Sequence, residues 1–495
     1  MVFASPNFDF ICPCSWLYKD SDNFSSAYDE LDITNEQDLQ IKDELNRLES
    51  SVGVAYKTEN RNDLNLAIKK YDELISKTGN QSPRAAFQKA EALNYLAQIE
   101  RSNLILQQAI SGFHSVLSMG SVVPDKLFKM AGNRCVNLLK FRGWYDKAID
   151  VQKIVISRFP NIPDEINKLG TLFLYVNKNS EAKIVFEQLL KQFPNDGYAL
   201  VHLGFILKLE GSANEKGVDN NSKFALRQLL EKGAEYLQKG IKTRELGTTQ
   251  GKFYFHLGDA LRRLGKTMEA DNVYKEAAEE GAMLSFWQRS LYNVEGLKAK
   301  PVWMLEETGI SDHLVRIRQN WELIRNEALS ALKRNLYQSE GENLRDTGKW
   351  AQFELYRQGQ KNERNCKKAP ITCNLIDSIP QVAKNRRGQV KFSVMEAGTH
   401  VHAHSGPTNC RLRAHLGLQI PENSSSSIVP SKSSTKLRVA DEYLAWNDGE
   451  LFIFDDSYDH EVWHDNPQGT PRIVLIFDIW HPELTEEQKR TLPAI

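Results

Sequence analysis

Between about residue 55 and residue 295, apolar residues recur at spacings of three and four, with few β-branched runs. This spacing places apolar side chains on one face of an α-helix, so it predicts a long helical region. The pattern also repeats, because the Phe-Pro-Asn sequence at 159–161 returns at 193–195. The same shift relates two small residues to their counterparts, Ala148 to Ala182 and Gly170 to Gly204.

This shift matches the period of about 34 residues in tetratricopeptide repeats, in which small residues let two antiparallel helices approach closely. Residues 256–277 fit a further copy, although the step from Gly204 to Gly258 is longer than one period. The polar stretch at 211–221 accounts for the added length as an inserted loop. We therefore expect a helical solenoid over 51–300, which is either a scaffold or a concave surface that receives a polypeptide, and we favour the second interpretation.

The pattern changes on both sides of this solenoid. Residues 1–50 are acidic and polar and are expected to form a tail and an early helix, whereas 301–378 keep a helical pattern without the period. Residues 379–495 contain short β-branched and aromatic runs between Gly, Pro, Asn and Ser turns, which predicts an all-β sandwich or jelly roll. The Ser-rich stretch at 423–435 should be a mobile loop between strands. The chain is therefore expected to be an α+β multidomain protein.

Composition excludes some functions. Across 495 residues, 63 Lys and Arg balance 64 Asp and Glu, so a formal net charge of −1 gives no electrostatic case for a nucleic-acid partner. The sequence also lacks a Gly-rich phosphate loop and a zinc-knuckle spacing of cysteines. It contains no run of about 20 apolar residues, and its N-terminus lacks a basic leader, so we expect no membrane anchor in this chain.

The sequence contains six cysteines. Cys366 and Cys373 enclose a short loop, and from their spacing alone they are either a small disulfide of an oxidising compartment or two ordinary thiols. Cys12 and Cys14 are expected to belong to an unstructured tail, because nothing nearby supplies further metal ligands.

Candidate chemistry is concentrated in the predicted β region, which holds seven of the eleven histidines. His400, His402 and His404 stand at every second position, so on a regular strand they would share one face. A ferrous oxygenase typically uses His-x-Asp or His-x-Glu plus a distant histidine, but two residues after His404 the chain has Gly406. The downstream candidate is His460, inside an acidic turn. For each single histidine the alternative is a structural role, whereas the group favours a metal site.

Three segments carry a resemblance to a known family: HSGPTNCRLRAHLGLQIP at 404–421, FDDSYDHEVWHD at 454–465 and FDIWHPELTEEQKRTLPAI at 477–495. They closely resemble the aspartyl/asparaginyl β-hydroxylases, 2-oxoglutarate oxygenases with tetratricopeptide repeats ahead of a double-stranded β-helix. In that family two histidines alone hold the iron, with glycine where the carboxylate is expected and water in its place. The resemblance therefore implies His404 and His460 as iron(II) ligands.

The resemblance also implies roles for other residues. Arg472 would bind the distal carboxylate of 2-oxoglutarate with help from Ser393, near Met395, while Arg413 and His415 would hold the end that chelates iron. An arginine suits this task because its guanidinium can donate two parallel bonds to a carboxylate. Substrate contacts are implied for Arg411 and, more weakly, for Glu342 and Gln352. His400 would support the iron ligands, and Cys366 and Cys373 would form a disulfide. His402 stands where the family usually has a large aromatic residue, so no role is carried onto it.

The implied activity is hydroxylation of the β-carbon of Asp or Asn residues in epidermal-growth-factor-like domains. It would need iron(II), 2-oxoglutarate and O2, with ascorbate as reductant. The implied location is the lumen or membrane of the endoplasmic reticulum, although the family's membrane anchor is not visible in this chain. Two alternatives remain open: a non-catalytic repeat protein with a relic β domain, and a metal-dependent cupin that uses His400, His402, His404 and His460 together.

Overall fold

The computed structural model describes residues 33–212, 219–341, 344–421, 429–466 and 468–495. The chain divides into two compact units, and the division falls between Ile206 and Leu207. Glu342, Cys12 and Cys14 lie outside the described residues.

The described part of the first unit is helical. Its helices are α1 (Glu36–Gln40), α2 (Lys42–Lys57), α3 (Arg61–Lys77), α4 (Pro83–Glu100), α5 (Asn103–Ser118), α6 (Asp125–Phe141), α7 (Tyr145–Arg158), α8 (Pro163–Tyr175), α9 (Asn179–Gln192) and α10 (Gly197–Gly211), the last of which crosses the division. Helices α7 and α9 begin one repeat period apart, as do α8 and α10, so the predicted repeat of helix pairs is confirmed. The repeat needs a small residue at position 170, because a Cβ atom on Gly170 would collide with the ring of Phe186.

The second unit opens with α11 (Asn220–Thr243), α12 (Gly251–Arg263) and α13 (Thr267–Glu279). The predicted repeat copy at 256–277 is present as α12 and α13, and Gly258 lies against Tyr274 as Gly170 lies against Phe186. The insertion that precedes this repeat copy, expected to be a loop, is not entirely loop. Helix α11 begins at Asn220, so part of the insertion is helical.

Thirteen strands follow among the described residues of the second unit. They are β1 (Val302–Trp303), β2 (Gln338–Ser339), β3 (Arg345–Thr347), β4 (Trp350–Arg357), β5 (Gln360–Lys361), β6 (Gln389–Met395), β7 (Thr399–His404), β8 (Arg411–Gln419), β9 (Thr435–Val439), β10 (Glu442–Ala445), β11 (Leu451–Phe454), β12 (His460–His464) and β13 (Arg472–Trp480). They form an eight-stranded sheet, ordered β1-β11-β8-β13-β6-β4-β2 with β5 on β4, and a five-stranded sheet, ordered β10-β9-β12-β7-β3. The sheet-rich character predicted for this part of the chain is confirmed.

An apolar core lies between the two sheets, where Val474 and Phe454 of the larger sheet pack with Val439 and Val462 of the smaller one. The other face of the larger sheet is covered by helices. These are α14 (Ser311–Gln319), α15 (Trp321–Lys333), α16 (Glu363–Cys366), α17 (Pro370–Asp377) and α18 (Pro380–Ala383), and a last helix, α19 (Glu486–Thr491), lies near the C-terminus. The larger sheet is thus buried on both faces.

The helical pattern expected for 301–378 is wrong over part of its length. Residues 350–357 form strand β4, which pairs with β6 across seven residue pairs from Trp350 to Arg357. A short segment of mixed apolar and polar residues is compatible with a helix or a strand, and pairing with β6 makes this one a strand. The Ser-rich stretch also ends earlier than expected, since Thr435 already begins β9; residues 422–428 lie outside the described residues.

Cys366 and Cys373 form a disulfide with Cα atoms 5.7 Å apart, which confirms the pairing implied by the resemblance. Cys135 and Cys410 are buried thiols. Among the helices of the described ranges, none has both the length and the apolar character needed to cross a membrane.

Candidate functional site

Two histidines face each other between neighbouring strands. His460 at the start of β12 is paired with His404 at the end of β7, and their ring centroids are 4.1 Å apart. His460 is 4% exposed and packs against the ring of Phe454. The two rings are therefore close enough to bind one common ion.

Both rings are held in the same way. Nδ1 of His404 lies 2.7 Å from the carbonyl oxygen of His402, and Nδ1 of His460 lies 2.8 Å from that of Tyr458. Because a carbonyl only accepts, Nδ1 carries the proton and the lone pair is on Nε2. Burial and the neighbouring His404 lower the pKa of His460 to about 3, so its ring is neutral at pH 7. A neutral imidazole with a fixed tautomer is the form that ligates a metal.

A β-bulge separates His404 from the two histidines before it. The pairing of β12 with β7 shifts by one residue between His460 and Val462, so the alternation of faces is interrupted. His400 lies opposite Trp463 and stacks on its ring, whereas His404 lies opposite His460. The expectation that His400, His402 and His404 share one face is therefore wrong.

Gly406 occupies the position where a carboxylate ligand is typical. A Cβ atom there would lie 2.5 Å from Oδ2 and 2.6 Å from Cγ of Asp456. Contacts this short require one of the two groups to move, so a side chain at 406 is excluded by packing. The site accordingly offers two imidazoles without a third protein ligand from this position.

A guanidinium group lies deep in the same region. Arg472 is 1% exposed, it donates from Nη1 to Sδ of Met395 at 2.7 Å, and its guanidinium lies 4.1 Å from the ring centroid of Trp446. Its Nε has no hydrogen-bond partner among the described residues, and no carboxylate there pairs with it. Burial lowers the pKa of Arg472 to about 9. A buried cation without an anion is costly, so this one is suited to bind an anionic ligand.

His415 supplies an oriented donor beside Arg472. Trp446 donates from Nε1 to Nδ1 of His415 at 3.3 Å, so the proton of this imidazole is on Nε2. That Nε2 is buried and has no partner within the described part of the chain. Burial first, and then the charge of Arg472, hold the pKa of His415 well below its usual value. A neutral ring in this tautomer can donate a hydrogen bond to a carboxylate or keto oxygen.

Arg411 and Arg413 are two apart on β8, and both contact the same two carboxylates. Arg413 donates from Nε to Oδ1 of Asp478 at 2.8 Å and lies 3.0 Å from Oδ2 of Asp456. Arg411 donates from Nη2 to Oδ2 of Asp456 at 2.7 Å and lies 3.3 Å from Asp478. Burial raises the pKa of Asp456, but the charges of Arg411 and Arg413 lower it by more. The pKa of this carboxyl is therefore held well below its usual range. The four groups form a buried network that positions both arginines.

The remaining candidates lie on β6 and β4. Ser393 is fully buried, accepts a hydrogen bond from Nε1 of Trp350 at 3.0 Å, and lies opposite Gln352 in the sheet register. Oε1 of Gln352 is a buried acceptor without a partner in the described residues. Met395 lies directly opposite Arg472 on the neighbouring strand. The structure thus brings together Ser393, Met395, Arg472 and Gln352 on adjacent strands of the larger sheet.

His400 lies apart from the paired rings. Its Nδ1 is 2.9 Å from Oδ2 of Asp346, and its Nε2 is 2.8 Å from Oε1 of Glu461. The set of four histidines required by the cupin alternative is therefore not assembled, because His400 and His402 lie on one face of the smaller sheet and His404 and His460 meet on the other.

Sequence reasoning missed Asp456, Asp478 and Asp459. Asp478 carried a signal in the sequence, because it is the only acidic residue in the apolar run of β13, where a buried carboxylate needs a partner. The strand register, which the sequence does not show, places it directly opposite Arg413. Asp459, next to His460, is 1% exposed and contacts three guanidinium groups. These belong to Arg262 at 3.0 Å, Arg438 at 3.0 Å and Arg289.

Comparisons with known proteins identify relatives of this chain. The profile of the family described as Aspartyl/Asparaginyl beta-hydroxylase matches residues 318–482. The chain is 41% identical over 465 residues to the Homo sapiens protein named aspartyl/asparaginyl beta-hydroxylase, covering 94% of this chain and 56% of that protein. For the Mus musculus protein of the same name, the identity is 40% and the coverage 94% and 58%. The chain therefore spans little more than half the length of these relatives.

Solved structures also show partial similarity to this chain. YrrB, described as a TPR protein with an unusual peptide-binding site, aligns with 42% of this chain and 91% of its own at 13% identity, with a TM-score of 0.29. A MamA double mutant aligns with 38% of this chain and 93% of its own at 19% identity, with a TM-score of 0.28.

Proposed function

We propose that the chain is a member of the aspartyl/asparaginyl β-hydroxylase family, and on that premise that it is an iron(II)- and 2-oxoglutarate-dependent hydroxylase of Asp or Asn residues in protein substrates. The fold proposed for its two sheets is the double-stranded β-helix. The observation that carries the proposal is Arg472, a fully buried guanidinium without a carboxylate partner among the described residues, on the larger sheet that faces the His404 and His460 rings.

The residues fit a ferrous ion held by two histidines. His404 and His460 each have a proton fixed on Nδ1 and a lone pair on Nε2, and their rings are 4.1 Å apart. Imidazole nitrogen suits iron(II), and carboxylate ligation from position 406 is excluded by the contact with Asp456. Water molecules would complete the coordination.

The residues also fit a keto diacid. Arg472 would bind the distal carboxylate through its planar fork, replacing the weak contact with the sulfur of Met395, and Ser393 would add its hydroxyl. His415 would donate from Nε2 to the chelating end, beside Arg413. The ligand would thereby satisfy two buried polar groups that lack partners within the described ranges, Nε of Arg472 and Nε2 of His415.

Bound iron(II) and 2-oxoglutarate would together reduce O2 and supply the oxidant for a C–H bond. The chain itself supplies orientation. The Arg411–Asp456–Arg413–Asp478 network holds the guanidinium groups in place before any ligand binds, so little reorganisation is needed at the moment of reaction. Apolar rings such as Phe454, packed between His415 and His460, keep water away from the reacting centre.

We further propose that the substrates are Asp or Asn residues of epidermal-growth-factor-like domains. Arg411 would meet the acidic or amide side chain, and Gln352 and Glu342 would contact the substrate main chain. The buried Oε1 of Gln352 has no hydrogen-bond partner in the described part of the chain. The helical repeats would receive the substrate polypeptide. The lumen of the endoplasmic reticulum is the proposed location, because the Cys366–Cys373 disulfide persists in an oxidising compartment.

The test combines two products. Purified chain is incubated with iron(II), ascorbate, 2-oxoglutarate and epidermal-growth-factor-like peptides, and succinate release is measured together with a mass gain of one oxygen on the peptide. His460→Ala should abolish both signals, whereas His313→Ala, which changes a histidine on helix α14, should leave them unchanged. Equal signals from the parent and His460→Ala would overturn the proposal. Absence of 2-oxoglutarate binding by calorimetry would instead support the non-catalytic alternative.

A further inference from the structure

A second group of metal-ligand side chains lies on the smaller sheet, on the face opposite His460. Along β12, His460, Val462 and His464 are buried, so the alternate residue Glu461 points to the other face. The β-bulge places His400 and His402 on that same face, and Asp346 joins them from β3.

These side chains are close enough to share an ion. One ligand atom from each of Asp346, His400 and His402 lies within 4.8 Å of the others. Nδ1 of His400 is 2.9 Å from Oδ2 of Asp346, and Nε2 of His402 is 3.6 Å from Oδ1 of the same carboxylate. The two oxygens of Asp346 therefore face one imidazole each.

His400 is oriented as a metal ligand. Its Nε2 lies 2.8 Å from Oε1 of Glu461, and that carboxylate is itself held by Arg438 at 3.0 Å. If Nε2 of His400 donates to Glu461, the lone pair of its Nδ1 is directed at Oδ2 of Asp346, 2.9 Å away. The lone pairs of these two atoms repel each other unless a cation lies between them. Either a proton or a metal ion can fill that role. A carboxylate behind a ligating histidine is a common arrangement at metal centres.

We propose that Asp346, His400 and His402 form a second metal site that takes a zinc-class divalent cation, with Glu461 positioning the His400 ring. Two imidazoles and one carboxylate suit Zn²⁺, with water as a fourth ligand. His402 and Asp346 are 40% and 44% exposed, so the ion and its water can enter from solvent. Iron(II) also accepts such a set. However, the buried Arg472 and His415 that would hold a keto acid lie on the larger sheet, beyond the opposite face.

The ion would join two strands directly, because Asp346 is on β3 and His400 and His402 are on β7. Strand β12 would be linked to it through the contact of Glu461 with His400. Zinc should therefore raise the thermal stability of the protein. The main-chain carbonyl of His402 also accepts from Nδ1 of His404, so the second site lies directly beside the proposed iron ligand.

The test counts zinc in the metal-stripped full-length chain by calorimetry and elemental analysis. The parent should bind two equivalents of zinc, and the double variant His404→Ala/His460→Ala should bind one. Adding His402→Gln or Asp346→Asn to that double variant should abolish binding of the remaining equivalent. Glu461→Gln in the double variant should weaken zinc about 10- to 100-fold. Asp441→Asn, a change at an exposed carboxylate in the β9–β10 turn, is the matched control and should leave the zinc count and the zinc affinity unchanged.

Two results would overturn the proposal of a second metal site. In the first, His404→Ala/His460→Ala binds no zinc. In the second, neither His402→Gln nor Asp346→Asn changes the zinc affinity of that double variant. The first result would mean that a proton between His400 and Asp346 is sufficient. Circular dichroism of each variant verifies folding. The measurement needs no substrate, so a failure of the proposed hydroxylation leaves this count unaffected, and the two proposals fail separately.

Discussion

Arg472 and Met395 lie directly opposite each other on β13 and β6, and the guanidinium donates to the thioether sulfur at 2.7 Å. A thioether is a weak acceptor and cannot offset the burial of a positive charge. Since no carboxylate of the described residues pairs with Arg472, an anionic ligand is the partner that this cation can receive.

Replacing Arg472 with methionine should separate stability from binding. Without ligand, Arg472→Met should unfold at the same temperature as the parent or higher, because it removes an uncompensated buried charge. Saturating 2-oxoglutarate should raise the melting temperature of the parent and leave that of the variant unchanged. Arg472→Lys keeps the charge without the fork and should weaken 2-oxoglutarate binding about 10-fold or more. A parent-like ligand shift in Arg472→Met would contradict this assignment.

A side chain at position 406 should damage the site. Gly406→Ala would place its Cβ atom 2.5 Å from the carboxylate of Asp456 and so disturb the pairing with Arg411 and Arg413. We expect a loss of about 1–3 kcal/mol of stability and a loss of activity. Gly53→Ala is the control, since its Cβ meets nothing within 4 Å, and both effects should be absent there. Urea unfolding and succinate release measure the two quantities.

The loop next to His460 depends on one carboxylate. Asp459 compensates Arg289, which is itself 2% exposed, and also contacts Arg262 and Arg438. Asp459→Asn keeps the shape but leaves the buried arginine charge without its anion, and we expect a cost of about 3–5 kcal/mol. Asp441→Asn, at an exposed carboxylate, should cost nothing measurable. Thermal unfolding of the two variants compares them directly.

His256 on α12 should make stability depend on pH. Burial first, and then the charge of Lys208, lower the pKa of His256 to about 3, while the unfolded chain titrates near 6.5. The unfolded state therefore binds more protons between pH 6.5 and pH 3, so this contribution is fully present above pH 6.5 and is lost as the pH falls. From pH 7 to pH 5 the parent should lose about 2 kcal/mol more than His256→Gln. The prediction is contradicted if the free energy of unfolding in urea depends on pH equally in the parent and in His256→Gln.

The disulfide should contribute modestly, because its loop is short. Closing the loop between Cys366 and Cys373 is expected to stabilise the protein by about 2–3 kcal/mol through the unfolded state. A reductant should lower the melting temperature of the parent and have no effect on Cys366→Ser/Cys373→Ser. Cys135 should not interfere, because burial raises the pKa of its thiol to about 12 and keeps it unreactive.

Much of the helical part could be predicted from the sequence, because its determinants are local. Residues three and four apart share a helix face, and Gly170 and Gly258 are needed where Phe186 and Tyr274 approach. Strand β4 could not be assigned in this way. Trp350 to Arg357 is a short segment of mixed apolar and polar residues, and it is a strand because it pairs with β6, which lies much further along the chain.

The sequence by itself determined which residue types are available: histidines at 404 and 460, a glycine at 406, arginines at 411, 413 and 472, and a helical repeat of tetratricopeptide length. The tertiary structure alone decided how they are grouped. A one-residue bulge turned His404 toward His460 and left His400 and His402 with Asp346, because the period-two alternation of a strand reverses wherever one residue is inserted. Burial likewise left Arg472 without an anion among the residues that the structure describes, while it paired Arg411 and Arg413 with Asp456 and Asp478, since charge compensation depends on which strands become neighbours.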